Sequence, residues 1–310
     1  MSKPRPTGPE AAPLNGLLLI DKSQGWTSHD AVAKARGLTG QRRIGHSGTL
    51  DPMATGLLVL CLGMATRLVE YISGHAKRYE GVITLGATTD TDDAEGTVVA
   101  RAPVPALEDA VLRAIERAFS GVLQQVPPAY SAIKKDGQRA YAVARRGGTV
   151  DLPARPVTVN RLELAQIDEA SLSIAVDCGP GTYIRSLARD IGAALGCGGH
   201  LSALRRTAVA HFDVRDAVTI AELALATEAG LAADLLIPAD EGMIDAGAAV
   251  VSDEHALAIG HGLRFAVEAA RTGQGIRVYD GAGTFLAVAS VDADGLLRAG
   301  TVFETAHRPA

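Results

Sequence analysis

Apolar positions along this chain form two kinds of pattern. GLLLIDK (16–22) is a continuous apolar run, which predicts a strand. LLVLCLG (57–63) is a similar run, but its length and period fit a buried strand and a short helix equally well. RYEGVITLG (78–86) and SLSIAVDC (171–178) read as strands. Helical spacing appears after Thr27, where Ala31, Val32, Ala35 and Leu38 recur on one face and Asp30 completes a capping box. ATRLVEYISG also reads as helical, and Leu107, Val111, Ile115 and Phe119 predict an amphipathic helix over 106–119. GPGTYIRSLARDIGAALG predicts a turn leading into a helix, with Thr182 as N-cap and Gly196 as the stop. A further helical patch lies near 219–229.

Past about 240–248 the pattern changes. A short helix is followed by IRVYDGAGTFLAVASVDADGLLRAGTVF, three short strands separated by glycine-rich and Asp-Gly turns. The expected organisation is therefore a tail over 1–14, a large domain over 15–240 and a small, mostly β domain over 248–308. The tail is proline-rich and is expected to be disordered. VPPAYSAIKKDGQRAYAVARRGG begins with a double proline and ends with a double glycine. It predicts a long excursion from the large domain over about 126–150, and such loops are functional or disordered.

Composition narrows the class. Apolar residues make up 47% of 310, enough for a substantial core, and no run reaches the roughly 18 residues of a membrane span. The three cysteines, Cys61, Cys178 and Cys197, are scattered and support neither a disulfide framework nor a zinc site. The expectation is a cytoplasmic protein with no membrane attachment, and a monomer by default. The net charge of −5 sits wholly in the stretch from Asp240 to the end, where ten acids face five basic residues. Residues 130–161 are locally basic: Lys134, Lys135, Arg139, Arg145, Arg146, Arg155 and Arg161 face only Asp136 and Asp151. A local basic surface is what phosphate contacts require.

Candidate chemistry centres on GHSGTLDPMATG (45–56). Glycines and Pro52 shape this segment around a single carboxylate, Asp51. GHSGT departs from the hydrolase elbow GxSxG at Thr49, and no phosphate loop, dinucleotide fingerprint or HExxH zinc motif occurs. TDTDDAEG reads as an acidic turn; it has Glu95 where a calcium loop needs glycine, and the histidines lack metal-ligand spacings. No metal and no cofactor is expected.

Four ordered segments, GHSGTLDPMATG, KRYEGVITLG, VPPAYSAIKKDGQRAY and CGPGTYIRSLARDIG, together resemble the TruB family of bacterial tRNA pseudouridine synthases. The likeness extends from GLLLIDKSQGWTSHD to HLSALRRTAVAHF, and the C-terminal part resembles that family's PUA-like domain. The resemblance implies an α+β fold with a large mixed central sheet and flanking helices. It also implies isomerisation of uridine 55 in the T loop of tRNA. Asp51 is then the catalytic carboxylate: nucleophile on base or ribose, or base at the ribose C2′. Arg185 lies beside it and favours its charged form. Tyr79 lies against a flipped uracil, His46 fills the space left in the RNA, and Tyr183 and Leu204 belong to the same substrate set. The basic excursion becomes a thumb whose Lys134, Arg139, Arg145 and Arg146 meet the T arm. Lys22, Arg42, Arg43 and Arg67 are further backbone-contact candidates. Ser23 departs from a proline common in the family, and Arg67 from a lysine.

Two other readings share these residues. One is a tRNA-folding helper in which catalysis is secondary. The other is the guide-RNA-dependent relative, whose chains are more basic and lack the long thumb.

Overall fold

A computed structural model of the chain describes residues 14–131, 134–135, 138–139, 152–267 and 273–303. Its centre is a nine-stranded mixed sheet. The main path runs β1 (Gly16–Lys22), β3 (Thr55–Leu62), β12 (Gly199–Val209), β4 (Lys77–Leu85), β11 (Ser171–Cys178), β10 (Arg155–Asp168) and β7 (Gly121–Gln125). β2 (Ile44–His46) pairs with β3, and β13 (Phe212–Asp213) pairs with β12. The β12–β3 pairing is parallel, and the other pairings in this sheet are antiparallel.

The continuous apolar runs have a direct explanation. On β1, Leu18 and Ile20 join one hydrophobic core while Leu17 and Leu19 join another on the opposite face. On β3, Leu58, Leu60 and Leu62 face the first core, and Leu57, Val59 and Cys61 face the second. Alternation in direction is intact, but both faces are covered, so the sequence shows no alternation in polarity. That resolves 57–62 as strand, with Gly63 opening the turn that follows.

Helices cover the first face. α1 (Ser28–Thr39) starts at the expected capping box: Asp30 N–H donates to Thr27 Oγ1 at 3.1 Å, and Thr27 N–H donates to Asp30 Oδ2 at 2.9 Å. After a 3₁₀ turn (Gly63–Leu68), α2 spans Val69–Ser73; it lies on the opposite face, where Ile72 joins the second core. α3 spans Asp109–Ala118, and it buries Leu112 and Ile115 while Val111 stays 38% exposed. The predicted four-residue ladder through Val111 drifts around a 3.6-residue helix, so the packed stripe runs instead through Leu112, Ile115 and Phe119. α4 (Ile184–Ala194) packs against β12 and α5 (Ile220–Glu228) against α1. Thr182 does not cap α4. Tyr183 is the N-cap residue, and the Thr182 hydroxyl donates back to the Gly179 carbonyl at 3.0 Å.

Between β5 (Ala87–Thr89) and β6 (Val98–Arg101) lies the acidic turn. The short β8 (Lys134–Lys135) and β9 (Gln138–Arg139) pair antiparallel within the basic excursion. Of the expected thumb contacts, Lys134 and Arg139 lie in this pair, whereas Arg145 and Arg146 lie outside the described residues.

The chain then crosses a 3₁₀ turn (Ala239–Met243) into a separate five-stranded sheet, ordered β14 (Ala248–Val250), β16 (Gly273–Tyr279), β17 (Phe285–Val291), β18 (Leu296–Val302), β15 (Phe265–Ala266). Its helix is α6 (Asp253–Gly260). This β-rich unit is packed against the second face of the large sheet through Val288, Met243 and Phe285. Among the described residues no helix is long and apolar enough to cross a membrane.

Candidate active site

The loop between β2 and β3 carries Asp51, and neighbouring elements fix it on several sides. Leu50 N–H donates to Ser28 Oγ of α1 at 2.8 Å, and Gly25 N–H donates to the Pro52 carbonyl at 2.8 Å. Arg206 of β12 donates to the Gly48 carbonyl at 3.1 Å and to the Leu57 carbonyl at 2.7 Å. Leu50, Met53 and Ala54 are buried beneath the loop. With its backbone and apolar side chains spoken for, the loop holds the Asp51 carboxyl towards a cavity of about 280 Å³. That lies near the lower end of small-molecule pockets, which span roughly 300–1,000 Å³.

Asp51 is the sole acid among the described residues lining the cavity. Arg185, from the first turn of α4, approaches it with Nε at 2.9 Å from Oδ2 and an Nη2 donation of 3.3 Å to Oδ1. The same guanidinium meets Asp93 at 3.4 Å and donates to the carbonyls of Thr91 at 3.0 Å and Tyr130 at 2.9 Å. Arg185 and Asp93 are both almost fully buried, whereas the Asp51 side chain keeps 35% of its surface open to the cleft.

Arg185 favours the charged form of Asp51, but it is not the largest influence on that carboxyl. Burial pushes the Asp51 carboxyl above the usual carboxylate range; Arg185 pulls it down and Asp93 pushes it further up, and burial prevails. A carboxyl-sized group deep in a cleft loses more hydration than one shared guanidinium returns.

Tyr79 projects from β4 into the cavity, 7% exposed, beside Arg206, and burial raises its hydroxyl pKa. Leu204 and Tyr183 line the same cavity. Lys77 is there as well; burial brings its ammonium down to about 8, and it donates to the carbonyls of Ser73 at 2.9 Å and His75 at 2.8 Å.

The structure therefore brings Asp51, Tyr79, Arg185, Tyr183 and Leu204 together. His46 is not among the lining residues; it ends β2, edge-on to His29 at 5.7 Å. Lys22 lies elsewhere than on a phosphate-facing surface. It is 1% exposed, and its ammonium donates to the carbonyls of Ser23 at 3.0 Å and Trp26 at 2.6 Å. Arg67 donates to the Val302 carbonyl at 3.0 Å, at the seam with the small domain. Arg43 contacts the Met64 sulfur at 3.7 Å.

Sequence reasoning missed Asp93, Arg206 and Lys77. Asp93 lay in a run dismissed as an acidic turn; its signal was four acids crowded into eight residues. Lys77 and Arg206 stood inside the quoted KRYEG and LRRT segments, with nothing to mark them as buried. Among the described residues, no cluster of His, Cys, Asp and Glu is placed to hold a metal ion.

Similar folds occur in solved structures of an H/ACA ribonucleoprotein bound to a substrate RNA containing 2′-deoxyuridine (TM-score 0.72, 23% identity, 93% of this chain and 85% of that one) and of a Cbf5-Nop10-Gar1 complex (TM-score 0.70, 25% identity, 90% and 78%). These likenesses give the fold, and a family match gives the class of protein, a pseudouridylate synthase. The profile of the TruB family pseudouridylate synthase N-terminal domain matches residues 36–184, and that of the tRNA pseudouridylate synthase B C-terminal domain matches 185–243. The tRNA pseudouridine synthase B of Leifsonia xyli is 54% identical over 235 residues, covering 73% of this chain and 75% of that protein. Its counterpart in Xanthomonas campestris (strain B100) is 44% identical over 286 residues, covering 92% of each. The chain belongs to the TruB family of pseudouridylate synthases.

Proposed function

We propose that this enzyme converts a uridine in the T loop of tRNA to pseudouridine, with Asp51 as the catalytic carboxylate. The observation that carries this reading is a single acid, pinned by its loop and gripped by Arg185, facing a cavity the size of one nucleoside. A helical stem or an intact loop is far too large for such a space. The target nucleotide must leave its stack, at a cost of a few kcal/mol.

Inside the cavity the bond from ribose C1′ to N1 breaks and C1′ rejoins the base at C5. N1 gains a proton and C5 loses one, so no electrons are exchanged with any other molecule. Asp51 acts at the nucleoside in its ionised form. Tyr79 offers a ring face to the freed uracil, and Leu204 and Tyr183 confine it. His46, on the neighbouring loop edge, occupies the space the base vacates in the RNA. The relatives' names support a tRNA substrate. Their likeness over most of the chain favours a stand-alone enzyme over a guide-dependent one.

The test uses an unmodified T-arm hairpin and maps pseudouridine by a carbodiimide-dependent primer-extension stop. Wild type gives one stop, at the T-loop uridine, while Asp51→Asn gives none and keeps RNA affinity within about threefold. A stop elsewhere, or none with wild type, overturns the assignment. Full activity in Asp51→Asn would remove the carboxylate from the chemistry and leave the folding-helper reading.

A further inference from the structure

The cations around the cavity are not equivalent. Arg185 is balanced by Asp51 and Asp93. Arg206 is spent on the carbonyls of Leu57 and Gly48, and Lys77 on those of Ser73 and His75. Arg155, at the start of β10, also lines the cavity, yet no carboxylate among the described residues lies within ion-pair distance of it. Its Nε is buried and has no hydrogen-bond partner among the described residues. A guanidinium that lines the cavity with no carboxylate to balance it is suited to receive an anion.

The side chain is also held in place. Its Nη2 donates to the Gly181 carbonyl, and its guanidinium lies 5.0 Å from the centre of the Tyr183 ring. Cross-strand from Arg155 sits Gln125 of β7, whose side-chain amide receives from Tyr183 N–H at 2.8 Å and donates to the Tyr183 carbonyl at 3.1 Å. The 179–183 turn is thus secured by Gln125 and by the Thr182 hydroxyl independently of Arg155. A role in holding that turn does not account for the free Nε or the unbalanced charge.

We propose that Arg155 binds the RNA phosphate adjoining the target uridine, its guanidinium stacked on Tyr183 at the cavity wall and its remaining N–H groups forking onto the phosphate oxygens. This deepens the proposed function and rests on the cavity receiving the extruded uridine. The guanidinium then reads no base. It fixes the position of the flipped nucleotide's backbone, and so where the ribose stands relative to Asp51.

The test uses T-arm hairpins carrying a single uncharged methylphosphonate linkage on either the 5′ or the 3′ side of the target uridine. Binding and single-turnover rates are measured for wild type and Arg155→Gln. One of the two linkages should weaken wild-type binding roughly tenfold to a hundredfold, the scale of a charge-assisted hydrogen bond. The same linkage should cost Arg155→Gln no more than about twofold, and the variant's log–log salt slope should shrink by about 0.7. Equal losses in both proteins, or no loss beyond about threefold in wild type at either linkage, overturn the proposal. Where Arg155→Gln fails to fold, the absence of any loss in wild type still overturns the proposal, and Arg155→Lys carries the comparison, retaining charge without the planar fork. Pseudouridine formation by wild type on the unmodified hairpin is read separately. Its absence alongside an intact phosphate effect would sink the uridine reading while leaving the anion site standing.

Discussion

Asp51 combines reactivity with a cost to the fold. Its carboxyl is raised by burial, so the folded protein holds that proton more tightly than the unfolded chain does. The linkage sign follows: this group destabilises the fold at neutral pH, and the deficit disappears as pH falls below the unfolded value of about 3.9. Asp51→Asn should therefore melt at a higher temperature than wild type at pH 7, with the gap closing towards pH 4. A variant melting lower than wild type at pH 7 would count against a strained carboxylate. The same shift governs activity. Because the ionised form reacts, the acid limb of kcat/KM against pH should lie above the normal aspartate range, which single-turnover rates between pH 4 and 8 can check. A limb at or below about 3.9 would show that Arg185 outweighs burial after all.

Glycines around the active-site loop are of two sorts, and contrasting them explains why loop and strands share one geometry. Gly56, at the start of β3, has φ +98°, and a Cβ there would stand 2.3 Å from the Arg206 carbonyl oxygen on β12. The backbone contact is what lets Arg206 reach back to Gly48 and brace the Asp51 loop. Gly25 has φ +82° with open space around it. Gly25→Ala should cost about 1–2 kcal/mol of backbone strain alone. Gly56→Ala should cost roughly 2–4 kcal/mol, since overpacking adds to that strain. Urea titrations of both variants measure the difference, and equal costs would show that the β3–β12 approach is slack. This contact also marks what the sequence could not disclose. β11 and the α1 capping box were readable because their signals are local: an apolar-rich eight-residue run and a Thr-Asp pair three apart. β12 was not, because its Arg-Arg pair looks like solvated surface. In the fold Arg205 pairs with Asp21 on β1 at 2.7 Å, and Arg206 is 1% exposed beneath the active-site loop. Both depend on residues about 150 or more positions away. Likewise Asp51 stood out by its glycine-rich setting, whereas Asp93, held within its turn by Thr91 Oγ1 at 2.5 Å and Glu95 N–H at 3.1 Å, meets Arg185 across a distance in sequence that no local pattern encodes.

The two large sheets of the molecule share a core. Leu17, Leu57 and Ile72 of the large domain pack in one cluster with Met243 of the connecting turn and Val288 of the small domain, and all are buried. Polar ties reinforce the seam: Tyr279 donates to Asp240 at 2.6 Å, and Arg277 donates to the carbonyls of Ile244 and Ala246, each at 3.1 Å. The Tyr279 hydroxyl is pushed up to about 12 by burial and by Asp240, so it stays a donor throughout the working pH range. Linked domains with polar, loosely packed interfaces unfold separately. A buried apolar cluster around Met243 couples them instead, because neither sheet can expose its side without uncovering the other's apolar face. Calorimetry should accordingly show one unfolding transition, and Met243→Ala should lower that single transition by about 2–5 kcal/mol, the range for a methionine lost from a packed interior. Two transitions in wild type, or a variant that shifts only the small domain's melting, would mean that the sheets fold independently. The second face of the β1–β3 pair would then need another explanation for its unbroken run of leucines.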